Sequence, residues 1–435
     1  MPPIKQSARA RRRSSSAASA RDNGAAGNGA ANHTGIPLAE YVARRNAVLK
    51  GLKGAAGVVL AGEGAPPLLG RWRPDFNFFY LTGLSNEPGA AVLFDPTHEN
   101  PDRRCVLILK PIDPETDRWD GYRDPIGAAL RDRTGFKTVQ RSRWLPHLLT
   151  FAARRTRRLA CLHAFSVYPA PVSPDLALHR QVAERVPGVA IEDRSDLLPS
   201  MRAVKSPAEL ALMRKAIAAT ANGFAAALRM IRPGVNEGAI AWTLEDGFRA
   251  AGGDGVAYNS IVGSGMNGTV LHYMDNSAEA KAGDLLVIDA GAVYAGYAAD
   301  VTRTVPVNGR FTPEQREAYE LVLRAQAAAI KAARPGAKNS DVDAAARAVI
   351  DKAGLGDAFI HGTGHPLGIE VHDVAPDGPL RAGMVITVEP GVYFPDRKMG
   401  VRIEDDILIT STGAKNLTDA IPKSIADVEA AMKSR

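Results

Sequence analysis

KAGDLLVIDAGAVY, residues 281–294, and RAGMVITVEPGVY, residues 381–393, align without a gap at an offset of 100 residues. Each is a turn followed by an apolar strand, and each strand ends on a carboxylate, Asp289 in one and Glu389 in the other. A second echo precedes them. RPGVNEGAIAWTLEDGFRAAGG from Arg232 is answered by RPGAKNSDVDAAARAVIDKAGLG from Arg334, each a Pro-Gly helix stop followed by a fresh helix. Helices and strands repeated in the same order predict two similar halves that bring Asp289 and Glu389 to pseudo-equivalent places. The same offset pairs His272 in VLHY with His372 in EVHD.

Working outward, residues 36–196 alternate amphipathic stretches with short apolar runs, VVLAG, FFYLTGL, AAVLFD, RCVLILK, RLACLH and VAIED, which predict strands of an α/β domain. A new helix is announced by Ser206-Pro207-Ala208-Glu209, a capping box with Ser at the N-cap and Pro at the first helical position. The domain boundary is therefore expected near residue 200, with a second domain over 197–435. The fold class is α/β (α+β).

The 435 residues suffice for two hydrophobic cores, and 45% apolar with 23% charged is ordinary soluble composition. No run of apolar residues is long enough to span a bilayer, so no membrane role is expected. The net charge of +7 does not argue for nucleic acid, because +5 of it falls on residues 1–35, from Lys5, Arg9, Arg11, Arg12, Arg13 and Arg21 against Asp22. That Ser, Ala, Gly and Arg-rich stretch has the composition of a disordered basic tail. A second basic run, Arg131 to Arg158, reads as a solvated face or subunit contact. Two cysteines, Cys105 and Cys161, among apolar neighbours are expected to be buried and inert, in a reducing, cytoplasmic setting.

Acids on apolar strands need a counterpart, since burying an ionised carboxylate costs several kcal/mol unless a cation or hydrogen bonds offset it. Four acids are in this position: Asp289 ends LLVID, Asp300 opens DVTRTVPV, Glu389 ends VITVE and Glu404 lies inside VRIEDDILIT. Any one alone reads as a capped turn or a salt bridge; four at matching places in two half-repeats read as a site. Each half is expected to form a hairpin that brings its two acids to one side. Asp405 and Asp406 follow as supporting or surface residues.

HGTGHPLGIEVHDV, residues 361–374, adds three of the nine histidines. Its glycines and Pro366 exclude the helical H-E-x-x-H arrangement. In extended chain His361 and His365 share a face and His372 takes the other, unless the chain bends between them. Four carboxylates with one imidazole are hard ligands suited to two divalent ions of the Mn, Fe(II), Co or Zn type.

VIDAG, ADVTRT, HGTGHPLGIEVHDV, VEPGVY and GVRIEDD together resemble the dinuclear-metal aminopeptidases of the pita-bread fold, and within them Xaa-Pro aminopeptidase (aminopeptidase P). The resemblance covers roughly residues 36–425, including YNSIVGSGMNGTVLHY, FNFFYLTGLSNEPGAAVLF and DPETDRWDGYRDPIG. It implies a creatinase/prolidase-type N-terminal α/β domain ahead of a pseudo-symmetric pita-bread catalytic domain. It also implies metal ligation by Asp289, Asp300, His365, Glu389 and Glu404. Glu389 would shuttle the proton, and His272, His361 and His372 would stand on the substrate side. Arg402 and Tyr393 would line the side that takes proline and the downstream chain. The implied activity is hydrolysis of the bond before a penultimate proline, by a homodimer or homotetramer carrying two ions, manganese first among them. Pro366 beside His365 would weaken one metal's binding if it tilts the imidazole. Prolidase is the nearest rival, and DPETDRWDGYR favours the aminopeptidase. Methionine aminopeptidase lacks such an N-terminal domain, creatinase lacks the metal cluster, and a non-catalytic pita-bread binding domain is expected to have lost ligands.

Overall fold

The computed structural model describes residues 34–64, 72–120 and 122–433, and most of the expected basic tail lies outside the described residues. The N-terminal domain is built on a six-stranded mixed sheet. Its strands run in the spatial order Thr138–Arg141, Cys105–Leu109, Ala91–Phe94, Ala56–Leu60, Arg158–Cys161 and Ala190–Asp193. Its apolar runs are continuous because both faces are covered. Ala56, Val58, Leu93, Val106 and Ile108 face the helices Leu145–Thr156 and Pro174–Ala183. Val59, Val92, Phe94, Leu107 and Leu109 face the other way, into a core shared with Leu212, Met213, Tyr297, Leu367 and Val385 of the catalytic half. The two domains are thus joined through a common apolar layer.

Five of the six expected strands form. FFYLTGL does not: Phe76–Thr82 is a helix. The Asp75 carboxylate accepts from the N–H groups of Asn77 and Phe78, and Gly83 closes the helix with φ 67°. Its last carbonyls are satisfied by buried arginines, Arg44 on Tyr80 O and Arg45 on Leu81 O, each at 2.9 Å. An apolar run buried on all sides carries no periodicity to separate helix from strand.

In the catalytic half the capping box forms as expected and starts the helix Pro207–Met230, which packs on Glu237–Ala250. The second half repeats this with Pro313–Ala332 on Asn339–Lys352. Each helix pair is followed by a turn and a strand, Leu285–Asp289 and Val385–Val388. The aligned turns use Gly283 at φ 93° and Gly383 at φ 92°, a conformation that explains why glycine recurs at that offset. Both strands pair antiparallel with a returning strand, Thr302–Pro306 and Asp405–Ile409. In each case a smaller hairpin extends the connection, Ala292–Tyr294 with Tyr297–Ala298 and Gly391–Phe394 with Met399–Arg402. Among the described residues no helix is long and apolar enough to cross a membrane.

Both cysteines are free, Cys161 buried and Cys105 half-buried, and burial pushes each thiol up to about 12. The basic run is partly neutralised in place, with Arg133 on Asp124, Arg155 on Asp95 and Arg158 on Glu192.

Candidate metal centre and active site

The strand register gathers the four acids. Asp289 lies opposite Thr302, two residues past Asp300, and Val388 lies opposite Asp405, so Glu389 and Glu404 flank the end of the second ladder. The two ladders are tied where Glu404 N–H donates to Thr302 O at 3.1 Å. Asp289, Asp300 and Glu404 are buried and Glu389 is half-buried. One ligand atom from each of Asp300, His365 and Glu404 lies within 4.8 Å of the other two. His365 Nε2 is 3.5 Å from Asp300 Oδ2 and 3.6 Å from Glu389 Oε1.

His365 is held from all sides. Gly364 passes so near the strand that a Cβ there would sit 2.1 Å from Thr387 O. The His365 N–H then reaches Thr387 Oγ1 at 3.1 Å, and its carbonyl accepts from Thr387 N–H at 2.8 Å. Nδ1 lies 3.0 Å from Pro366 O, which makes Nδ1 the protonated nitrogen and leaves the Nε2 lone pair facing the acids. Pro366 therefore fixes the imidazole through its carbonyl. Pro366 O also accepts from Asp373 N–H at 2.8 Å, closing the loop and bending His372 back until its ring lies 4.0 Å from that of His365. This bend puts His372 on the side of His365.

The remaining expected residues divide. His372 and His272 are exposed at the rim, and Leu271 O, next to His272, accepts from Arg402 Nη2 at 3.4 Å. His361 has both ring nitrogens engaged, Nδ1 with Gly362 O at 2.8 Å and Nε2 with Tyr393 OH at 2.9 Å. Burial, with Arg402 adding to it, pushes its pKa down to about 4. Arg402, expected to line the side that takes proline and the downstream chain, is buried. It pairs with Asp289 at 2.6 Å and donates to Tyr393 OH at 2.9 Å, because an acid cluster draws the nearest guanidinium to itself. Asp405 and Asp406 are fully buried, which excludes a surface role. Asp405 pairs with Arg303 and Lys423, and Asp406 accepts from Asp300 N–H at 3.4 Å.

Three supporting residues were not visible in the sequence. Tyr258 OH meets Oδ1 of both Asp289 and Asp300. Thr302 Oγ1 donates to Glu404 at 2.8 Å, and Thr387 Oγ1 reaches Glu389 at 3.4 Å. The threonines could have been found from their places beside the acids on strands; nothing local marks Tyr258.

The donor set fits divalent cations. Burial pushes Asp300 and Glu404 well above the usual carboxylate range and Glu389 up to about 7, and pushes His365 down to about 4. Neutral imidazole, carboxylates and one shared tyrosine proton leave acceptors facing acceptors. Glu404 Oε1 is buried with no hydrogen-bond partner, the condition a metal ion would relieve. Asp289, Asp300, His365, Glu389 and Glu404 supply hard oxygen and nitrogen donors with no thiolate among them.

The profile of metallopeptidase family M24 matches residues 211–411, and that of the aminopeptidase P N-terminal domain matches residues 41–159. The chain is thus a two-domain, metal-dependent peptide hydrolase. An Xaa-Pro aminopeptidase from Haemophilus influenzae is 36% identical over 82% of this chain and 88% of its own length. The Escherichia coli Xaa-Pro aminopeptidase is 34% identical over 91% of this chain and 98% of its own. The solved zinc-substituted E. coli aminopeptidase P in complex with product superposes with a TM-score of 0.81, at 30% identity, over 92% of this chain and 99% of that one. The chain belongs to the aminopeptidase P family. An Xaa-Pro dipeptidase from Pyrococcus furiosus is 39% identical but over only 51% of this chain.

Proposed function

We propose that this chain is an Xaa-Pro aminopeptidase, hydrolysing the bond between an N-terminal residue and a penultimate proline. The observation that carries the reading is the buried group of Asp300, His365 and Glu404, with Asp289 and Glu389 beside it, in a chain alignable to Xaa-Pro aminopeptidases across both domains. Two manganese ions held by these five residues are the proposed cofactor. When bound, such ions supply Lewis acidity toward water and toward a carbonyl oxygen.

The residues do the rest. Glu389 is half-buried at the edge of the cluster, beside His365 Nε2 and Thr387 Oγ1, and its carboxylate takes a proton and returns it to the leaving nitrogen. A proline nitrogen carries no N–H, so that returned proton is what lets it leave. His372 and His272, at the rim, donate to the charge developing on the scissile carbonyl oxygen and to the carbonyl beyond it. Tyr393, His361 and Arg402 form a hydrogen-bonded chain ending on Asp289, which keeps His361 neutral and oriented along the proline side. A homodimer or homotetramer is the assembly proposed with this reading.

The test is hydrolysis of Arg-Pro-Pro and of Arg-Pro by metal-depleted protein reloaded with Mn, following free arginine. Cleavage of the tripeptide with little of the dipeptide is expected; the reverse would make the chain a prolidase, and silence on both would remove the reading.

A further inference from the structure

Glu237 opens the helix Glu237–Ala250 and is completely buried. An acid in a helix's first turn is ordinary, but one with no contact with water needs partners. Its Oε1 accepts from Ser264 N–H at 2.7 Å, Ser264 Oγ at 2.8 Å and Asn267 Nδ2 at 3.1 Å. Its Oε2 accepts from Tyr273 OH and Ala278 N–H, both at 3.0 Å. Every one of these partners is a neutral donor, and all of them lie between residues 264 and 278. The start of the same helix adds Glu237 N–H to Ala278 O and Asn236 Nδ2 to Ser277 O, both at 2.9 Å.

That segment carries His272 and none of the five proposed metal ligands. It is pinned on either side of the histidine. Tyr273 is tied to Glu237, while Leu271 O accepts from Arg402, which pairs with Asp289. We propose that Glu237 is a positioning residue for His272: its carboxylate fixes residues 264–278 so that the imidazole is presented at the carboxylate cluster. The proposal rests on the substrate-side role given to His272 above. A carboxylate is required because a glutamine would point an amide N–H₂ at groups that are themselves donors.

The test is a double-substitution cycle in the full-length, Mn-reloaded enzyme on Arg-Pro-Pro, using Glu237→Gln and His272→Ala singly and together. Bound metal and melting temperature are measured for each. Glu237→Gln is expected to lower kcat about tenfold or more, a share of the ~10²–10³ that a transition-state donor supplies. KM and metal content should stay near wild type, and the substitution should cost nothing further in the His272→Ala background. Equal losses in both backgrounds, or wild-type kcat in E237Q, overturn the proposal. If E237Q does not fold, Tyr273→Phe removes one donor and leaves the carboxylate, and is read by the same criteria. Wild-type enzyme silent on Arg-Pro-Pro would break the function proposed above and leave the clamp to be decided by amide exchange. Faster exchange over residues 264–278 in Y273F or E237Q then supports it, and unchanged exchange overturns it.

Discussion

The two halves of the catalytic domain deliver their first carboxylate from the same turn-and-strand unit and then treat it differently. Asp289 is paired with Arg402 at 2.6 Å and meets Tyr258 OH. Glu389, at the aligned position, has Thr387 Oγ1 at 3.4 Å and the neutral His365 at 3.6 Å, and burial raises its pKa to about 7. Duplication supplied two acids at matching places; the divergence of their neighbours left Asp289 against a guanidinium and a tyrosine hydroxyl, and Glu389 against a neutral imidazole and a threonine hydroxyl.

The largest expected effect comes from the second half. Glu404→Ala should lose bound metal and lower kcat/KM by more than about a thousandfold, since several kcal/mol of charge stabilisation go with the ions. Metal analysis and kinetics on the purified variant check this. A variant that keeps its metal would end the ligand assignment. Glu389→Gln comes next. A glutamine retains a ligating oxygen but carries no proton, so turnover should fall by about 10²–10⁴ with much of the metal retained. Unchanged kcat would move the proton transfer elsewhere and erase the contrast with Asp289.

How far the sequence foretells this contrast depends on what each residue does to local pattern. The acids were legible because a carboxylate at the end of an apolar strand is conspicuous, and the offset of 100 aligned two of them. His365 was separated from His361 and His372 only by resemblance. The bend that brings His372 beside His365 depends on Pro366 O accepting from Asp373 N–H, a tertiary contact with no periodic signature. The direction of Arg402 was not legible because it is set by Asp289, which lies 113 residues away in the chain. The helix Phe76–Thr82 was read as a strand because its cap is a single aspartate and its carbonyls are satisfied by Arg44 and Arg45 from another helix. Tyr258 sits in an irregular stretch where a tyrosine reads like any loop aromatic.

Tyr258 sharpens the comparison in the first half. Its hydroxyl serves Asp289 and Asp300 together, and burial with those carboxylates holds its pKa well above the usual value, so it remains a donor. Tyr258→Phe should weaken metal binding or turnover by about 10–100-fold, the usual cost of removing a group that orients a ligand. Metal titration followed by calorimetry checks it, and an effect as large as that of Glu404→Ala would mean that the hydroxyl does more than orient.

The smallest expected effect is on stability without metal. Burial raises Asp300 and Glu404 well above the usual range and Glu389 to about 7, so near neutrality the folded, metal-free protein holds protons that the unfolded chain has released. A group whose pKa is raised on folding contributes its stability below the unfolded value and loses it as pH rises through the folded one. The part of the metal-free stability that comes from these acids should therefore fall between about pH 5 and about pH 7, while His361 and His365, pushed down to about 4, act in the opposite sense there; the difference in denaturation midpoint between wild type and Glu389→Gln isolates the acid's part and should shrink as pH rises. Metal ions replace the protons as counter-charge, so Mn-loaded protein should show no such fall and should bind metal more tightly as pH rises. A wild-type minus Glu389→Gln difference that does not shrink over that range would mean that Glu389 is ionised and balanced without metal.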